Sequence, residues 1–163
     1  AGAIARELGL AADVVERVRF GGIVHDVGKI GISDAVLRKP GWLSDEDWDE
    51  MRRHPEIGAR ILRGANLDDI GEWVLAHHER PDGQGYPNGL AGHSIPLEAR
   101  ILAAADAYEA MTSDRVYRPA MTPQAAREEL RRCSGTQFDE QVVDAFLSLL
   151  ERDAVSRELS VAG

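Results

Sequence analysis

Ile23-Val24-His25-Asp26-Val27-Gly28-Lys29 is the stretch on which the fold turns, because an imidazole, a carboxylate and an ammonium interrupt an apolar run there. Upstream, Val14, Val18 and Val24 act as apolar anchors, and together they predict a helix over residues 13–29. Gly21 and Gly22 lie mid-segment, where a neighbouring helix can approach closely. On such a helix positions 25, 26 and 29 share one face, so their ionisable groups converge. Groups of this kind on an apolar face are costly unless they are paired or bind metal. A His-Asp pair in isolation is more often a buried ion pair with a satisfied histidine, so the other histidines have to decide.

Working outward, the remaining periodic segments also read as helices. Residues 1–8 carry Ile4 and Leu8 on one face and stop at Gly9, a glycine cap. After the Pro40-Gly41 turn, Ser44 with Asp47 resembles a capping box for a helix through Arg53. Pro55 suits the first turn of the next helix, which carries Ile57 and Ile61 on one face. From Asp68 onward Ile70, Trp73, Val74 and His77 follow helical spacing, so His77 should point with the apolar stripe and His78 about 100° around the axis. Residues 80–96 hold too many glycines and prolines for a helix and read as a long ordered loop, of the kind that carries function. Residues 97–111 are helical and Ala-rich, Thr122-Pro123 opens another helix through about Arg132, and residues 139–152 close the fold. There is no strand pattern, repeat or linker. The expectation is one all-α domain over residues 1–152 and a C-terminal tail, 153–163, lacking clear periodicity.

The chain has 163 residues, 44% of them apolar, enough for one buried core. No apolar run approaches the roughly 20 residues that span a bilayer, so no membrane span is expected. The single cysteine, Cys133, allows no internal disulfide, and the expected compartment is the cytoplasm, with Cys133 a bystander. A net charge of -9 repels a long nucleic acid, which requires a basic stripe. A small phosphorylated ligand is compatible with that charge if bound cations offset the field.

His54 ends one helix before a proline, and His77 and His78 are adjacent at the end of another. Four imidazoles with carboxylates at helix ends and on apolar faces are difficult to explain as core filling, and they read as metal ligands. Asp106 stands on the face that also holds Ala99 and Leu102, where an unpaired carboxylate is expensive; a cation offsets that cost, and so would an arginine partner. A donor set without thiolates suits Mn, Fe or Zn. Asp26 can bridge two ions about 4 Å apart, a spacing that generates a bridging hydroxide and clamps an in-line phosphoryl displacement.

The runs His25-Asp26-Val27-Gly28-Lys29-Ile30-Gly31-Ile32, His54-Pro55 and His77-His78-Glu79-Arg80-Pro81-Asp82-Gly83-Gln84-Gly85-Tyr86-Pro87 resemble the HD-GYP signature in order and spacing. The likeness continues through Ile95-Pro96-Leu97, Ala105-Asp106, Thr112-Ser113-Asp114-Arg115 and Phe138-Asp139. The resemblance implies an HD-superfamily helical bundle with two or three divalent ions, Fe or Mn. It implies hydrolysis of cyclic di-GMP to linear pGpG and/or GMP. Carried residue by residue, it implies His25, Asp26, His54, His77, His78 and Asp106 as metal ligands, with Asp26 and Lys29 in the catalytic role. It implies Gly85, Tyr86, Arg115 and Arg118 as substrate contacts, with the Tyr86 ring suited to guanine. His93 matches no ligand position and is expected to be an exposed loop residue.

The resemblance also implies an upstream helix whose Glu and His complete the metal site, and the expectation is that this N-terminal helix is missing from these residues. The expectation is weaker binding of one metal, or fewer ions, and an apolar groove that invites a homodimer. An upstream sensory or receiver domain is also implied. Glu109 and Ser33 depart from the family's usual Asp and Pro, away from the metals. Two other function classes compete. One is a catalytically weak module that binds cyclic di-GMP or a partner protein. The other is an HD hydrolase for another nucleotide or cyclic dinucleotide. Glu79, Asp82 and a metal-bound water all remain open as the general acid.

Overall fold

The structure is a computed structural model that describes residues 1–114 and 119–161, with side chains as far as residue 152. The described residues form α-helices and short 3-10 turns and no strand; Ser134 and Phe138 make an isolated bridge. Helix α1 (Gly2–Glu7) ends before Gly9, whose φ of 77° turns the chain into α2 (Ala12–Val24). A short α3 (Asp34–Leu37), for which no pattern was read, precedes α4 (Asp45–Met51). The α4 capping box is formed, with Ser44 accepting from the Asp47 N–H and the Asp47 carboxylate accepting from the Ser44 N–H. Helix α5 (His54–Gly64) has Pro55 in its first turn, and α6 (Asp68–Ala76) follows. The long loop contains one 3-10 turn, Gly92–Ser94, before α7 (Leu97–Thr112). Thr122 caps α8 (Pro123–Arg132) by accepting from the Ala125 N–H. The last helix, α9 (Glu140–Val161), runs beyond the Arg152 boundary expected from periodicity.

Helix α7 is the axle of the bundle. Its Ala99, Ile101, Leu102 and Ala104 are buried, and it packs against α1, α2, α6, α8 and α9. Small side chains on this helix let five neighbours come near, and Asp106 is carried on the same element. Helices α5 and α6 form a tight antiparallel pair: an added Cβ on Gly71 would lie 3.2 Å from the Ala59 carbonyl, and one on Gly58 3.1 Å from Val74. The buried side of α5 is Gly58, Ala59 and Leu62; the face marked by Ile57 and Ile61 turns outward at Ile61, while Ile57 packs on Gly31.

One expectation is corrected. The helix predicted to reach residue 29 ends at Val24; His25 caps it, Asp26 bends away at φ -95° and ψ 7°, and Val27–Gly31 is a 3-10 turn. The bend has a steric cause. Gly28 lies against the first turn of α5, so close that a Cβ there would sit 2.5 Å from Gly58 N and nearer still to the His54 carbonyl oxygen. His25, Asp26 and Lys29 therefore converge across a bend and not along one helical face. Among the described residues no helix is long and apolar enough to cross a membrane.

Candidate metal centre

His25, His54 and His77 all stand at helix termini and are oriented by one device. In each, Nδ1 meets the carbonyl three residues earlier: His25 with Gly22 at 2.8 Å, His54 with Met51 at 2.7 Å, His77 with Val74 at 2.5 Å. A carbonyl oxygen only accepts, so Nδ1 donates its proton and Nε2 presents a lone pair. All three Nε2 atoms are buried and have no hydrogen-bond partner. His78 joins them from the α6 terminus, its ring 3.9 Å from that of His77 and 5.0 Å from that of His54, and single ligand atoms of His54, His77 and His78 lie within 4.8 Å of one another.

Two carboxylates face these nitrogens. His25 Nε2 is 3.4 Å from an oxygen of Asp26 and 3.4 Å from one of Asp106, and His54 Nε2 is 3.5 Å from the other Asp26 oxygen. Asp106 thus meets an imidazole where an arginine partner was the alternative. Lone pairs and carboxylate oxygens at this spacing repel unless a cation lies among them. The donor set, imidazole nitrogens and carboxylate oxygens without sulfur, fits a divalent transition metal. Lys29 Nζ donates to the Asp26 carboxylate at 2.6 Å, placing an ammonium at the edge of the cluster.

Electrostatics keep the imidazoles ready to ligate. Burial holds the His77 pKa down at about 4, and burial with the neighbouring His77 and His54 lowers that of His78 to about 2. Burial lowers His54 as well. For His25 burial acts in the same direction, but Asp106 and Asp26 outweigh it and raise the pKa. Burial would raise Asp106, yet the adjacent His25 and the other surrounding imidazoles hold it at about 2. At neutral pH His54, His77 and His78 are therefore neutral rings beside an anionic Asp106, protonation states that bind metal.

The cluster opens into a cavity of about 810 Å³ bordered by His77, His78, Asp106, Tyr86, Trp48 and Arg52, among others. Gly85 also lines it, and glycine is required there: a Cβ would sit 2.6 Å from the His78 carbonyl. Tyr86 stacks on His78, with centroids 4.8 Å apart and planes at 26°, and its N–H donates to the His78 carbonyl. The expectation of a Tyr86 ring open for guanine is thereby modified, since one face is already in use. Arg115 and Arg118 lie outside the described residues. His93 is an exposed loop residue, with Arg100 3.4 Å away. A second cavity of about 240 Å³, bordered by Ala1, Gly22, His25 and Asp106, meets the cluster at His25 and Asp106.

Residue spacing did not disclose the part played by Glu79. Its carboxylate is buried and accepts from the Asn88 and Leu90 N–H groups at 2.7 and 2.9 Å, pinning the long loop beside the cluster. Asp82 is likewise engaged, by Arg80 and the Gln84 N–H. Glu79→Ala strands two backbone donors and is expected to cost about 2 kcal/mol, lowering the melting temperature by roughly 4–8 °C. Hydrogen exchange at Asn88 and Leu90 checks the cause, since both amides should lose protection while those of α7 do not.

Fold and site together define an all-α bundle built around a histidine–aspartate cluster suited to a cation. A model of the HD domain matches residues 1–142, and the chain belongs to that family, as its likeness to HD-GYP members implied. The cyclic di-GMP phosphodiesterase response regulator RpfG of Xanthomonas campestris pv. campestris is 45% identical over 150 residues, covering 90% of this chain and 40% of that one. A cyclic di-GMP phosphodiesterase of Thermotoga maritima is 42% identical over 151 residues, covering 91% and 41%. The crystal structure of a cyclic GMP-AMP specific phosphodiesterase of Vibrio cholerae superposes with a TM-score of 0.72 at 20% identity, over 92% of this chain and 41% of that one, which establishes a shared fold. The chain spans about two fifths of the length of these curated relatives.

Proposed function

We propose that this chain is the hydrolytic domain of a metal-dependent phosphodiesterase that converts cyclic di-GMP to linear pGpG and/or GMP. The observation that carries the proposal is the set of three buried, unpartnered Nε2 atoms, those of His25 and His54 facing Asp26 and Asp106, beside a cavity of about 810 Å³. That volume lies in the range of small-molecule sites. His25, Asp26, His54, His77, His78 and Asp106 hold two or three divalent ions, Fe or Mn. Such ions supply Lewis-acid charge to a phosphodiester and acidify an attacking water.

The chain's own groups do the rest. Asp26, touching both His25 and His54, joins the two sides of the centre, and Lys29 holds that carboxylate while its ammonium offsets phosphate charge. Gly85 and Tyr86 shape the cavity wall, and Arg115 and Arg118 contact the phosphates or a guanine edge. Glu79 and Asp82 are occupied as acceptors, which supports water as the source of the proton for the leaving oxygen. The relatives' greater length accommodates an upstream sensory or receiver domain that controls the activity.

The test is to load the protein with manganese or iron, incubate it with cyclic di-GMP, and resolve the products by chromatography with metal content measured on the same sample. Linear pGpG or GMP is expected; binding without product marks a nucleotide-sensing module instead. Likeness to a 3'3'-cGAMP-specific phosphodiesterase of Vibrio cholerae, 37% identical over 147 residues, favours one second reading, hydrolysis of that dinucleotide, and a parallel incubation decides between them.

A further inference from the structure

Helix α4 is unlike the rest of the bundle. None of its residues is buried, and among the described residues its main helical neighbour is the short α3. Yet Trp48 and Arg52, one turn apart on one face, both border the large cavity that the histidine cluster opens into. Trp48 stays 44% exposed and, among the described residues, enters no aromatic pair. An indole that stabilises no core and borders this cavity has an apolar face to offer a ligand. Tyr86, the aromatic that motif spacing marks for the nucleotide, is already stacked on His78 and has the Arg52 guanidinium 5.9 Å from its ring centre.

We infer that Trp48 is the stacking platform for a purine base of the substrate, with Arg52 beside it as the donor to that base or its phosphate. The inference rests on the cyclic dinucleotide reading above. A planar base needs a broad apolar face, and a guanine edge carries two acceptors, O6 and N7, that suit a guanidinium fork. The role is one of specificity, because Trp48 comes from a different segment than the histidines and aspartates that would handle the phosphodiester.

Kinetics on the metal-loaded 163-residue chain test this. Trp48→Ala is expected to raise KM for cyclic di-GMP roughly ten-fold or more with kcat little changed, since stacking is made equally in ground and transition states. Trp48→Phe should restore most of the affinity. Stopped-flow tryptophan fluorescence supplies a direct readout: quenching on mixing with cyclic di-GMP should persist in Trp42→Phe, whose indole is 94% exposed and outside the cavity wall, and vanish in Trp48→Phe. Unchanged KM in Trp48→Ala, or quenching retained in Trp48→Phe, overturns the platform while leaving the functional proposal intact. A wild-type chain that neither binds nor hydrolyses any cyclic dinucleotide removes both.

Discussion

Asp26→Asn is expected to lower turnover of cyclic di-GMP by the metal-loaded protein on the order of a thousand-fold, with metal content falling in step. Among the described residues Asp26 is the one carboxylate within 3.5 Å of imidazoles from two chain segments, His25 and His54, and it also holds Lys29. Asparagine keeps the size but removes the charge and offers one acceptor oxygen where aspartate offers two. A centre that needs both oxygens loses an ion, and Lys29 loses its anchor. Paired rate measurements and elemental analysis check the result. If Asp26→Asn retained a full metal complement and near-normal turnover, the role given to Asp26 would have to be abandoned, and with it the present account of the centre.

The second large effect belongs to a residue with no chemistry of its own. Gly28→Ala is expected to destabilise the protein by roughly 3 kcal/mol or more, a fall of about 6–12 °C in melting temperature, and to weaken metal retention as well. The new methyl group would collide with backbone atoms of His54 and Gly58, which cannot rotate aside, so α5 must move and take His54 with it. Gly31→Ala is the matched control. Its Cβ meets the end of the flexible Ile57 side chain at 2.9 Å, and the expected loss is far smaller. Thermal melts of both variants, followed by metal analysis, separate the two cases. Equal stability of Gly28→Ala and Gly31→Ala would show that the approach of the bend to α5 is not the constraint described.

Much of the architecture is legible in residue order because its causes are local. The Ser44–Asp47 box, Pro55 in a first turn, the Thr122 cap and the glycine stop at Gly9 each involve neighbours a few residues apart. His77 follows the apolar stripe of α6 into full burial for the same reason, and the breaker-rich loop after His78 forms no α-helix. The α2 end was not legible. Nothing in Ile23-Val24-His25-Asp26-Val27-Gly28-Lys29 says that the helix stops at Val24, because the stop is imposed by α5, a separate segment of the chain.

Spacing and residue type alone therefore determined the helical class and singled out His25, Asp26, His54, His77, His78 and Asp106 as a possible cation set. Tertiary structure alone decided that these six share one cluster, that His78 occupies a face of Tyr86, that Glu79 ties down the loop, and that Trp48 borders the cavity. The division has a physical origin: periodicity and capping are energies of near neighbours, whereas the cluster depends on how closely the backbones at Gly28, Gly58 and Gly85 approach segments that residue spacing does not relate to them.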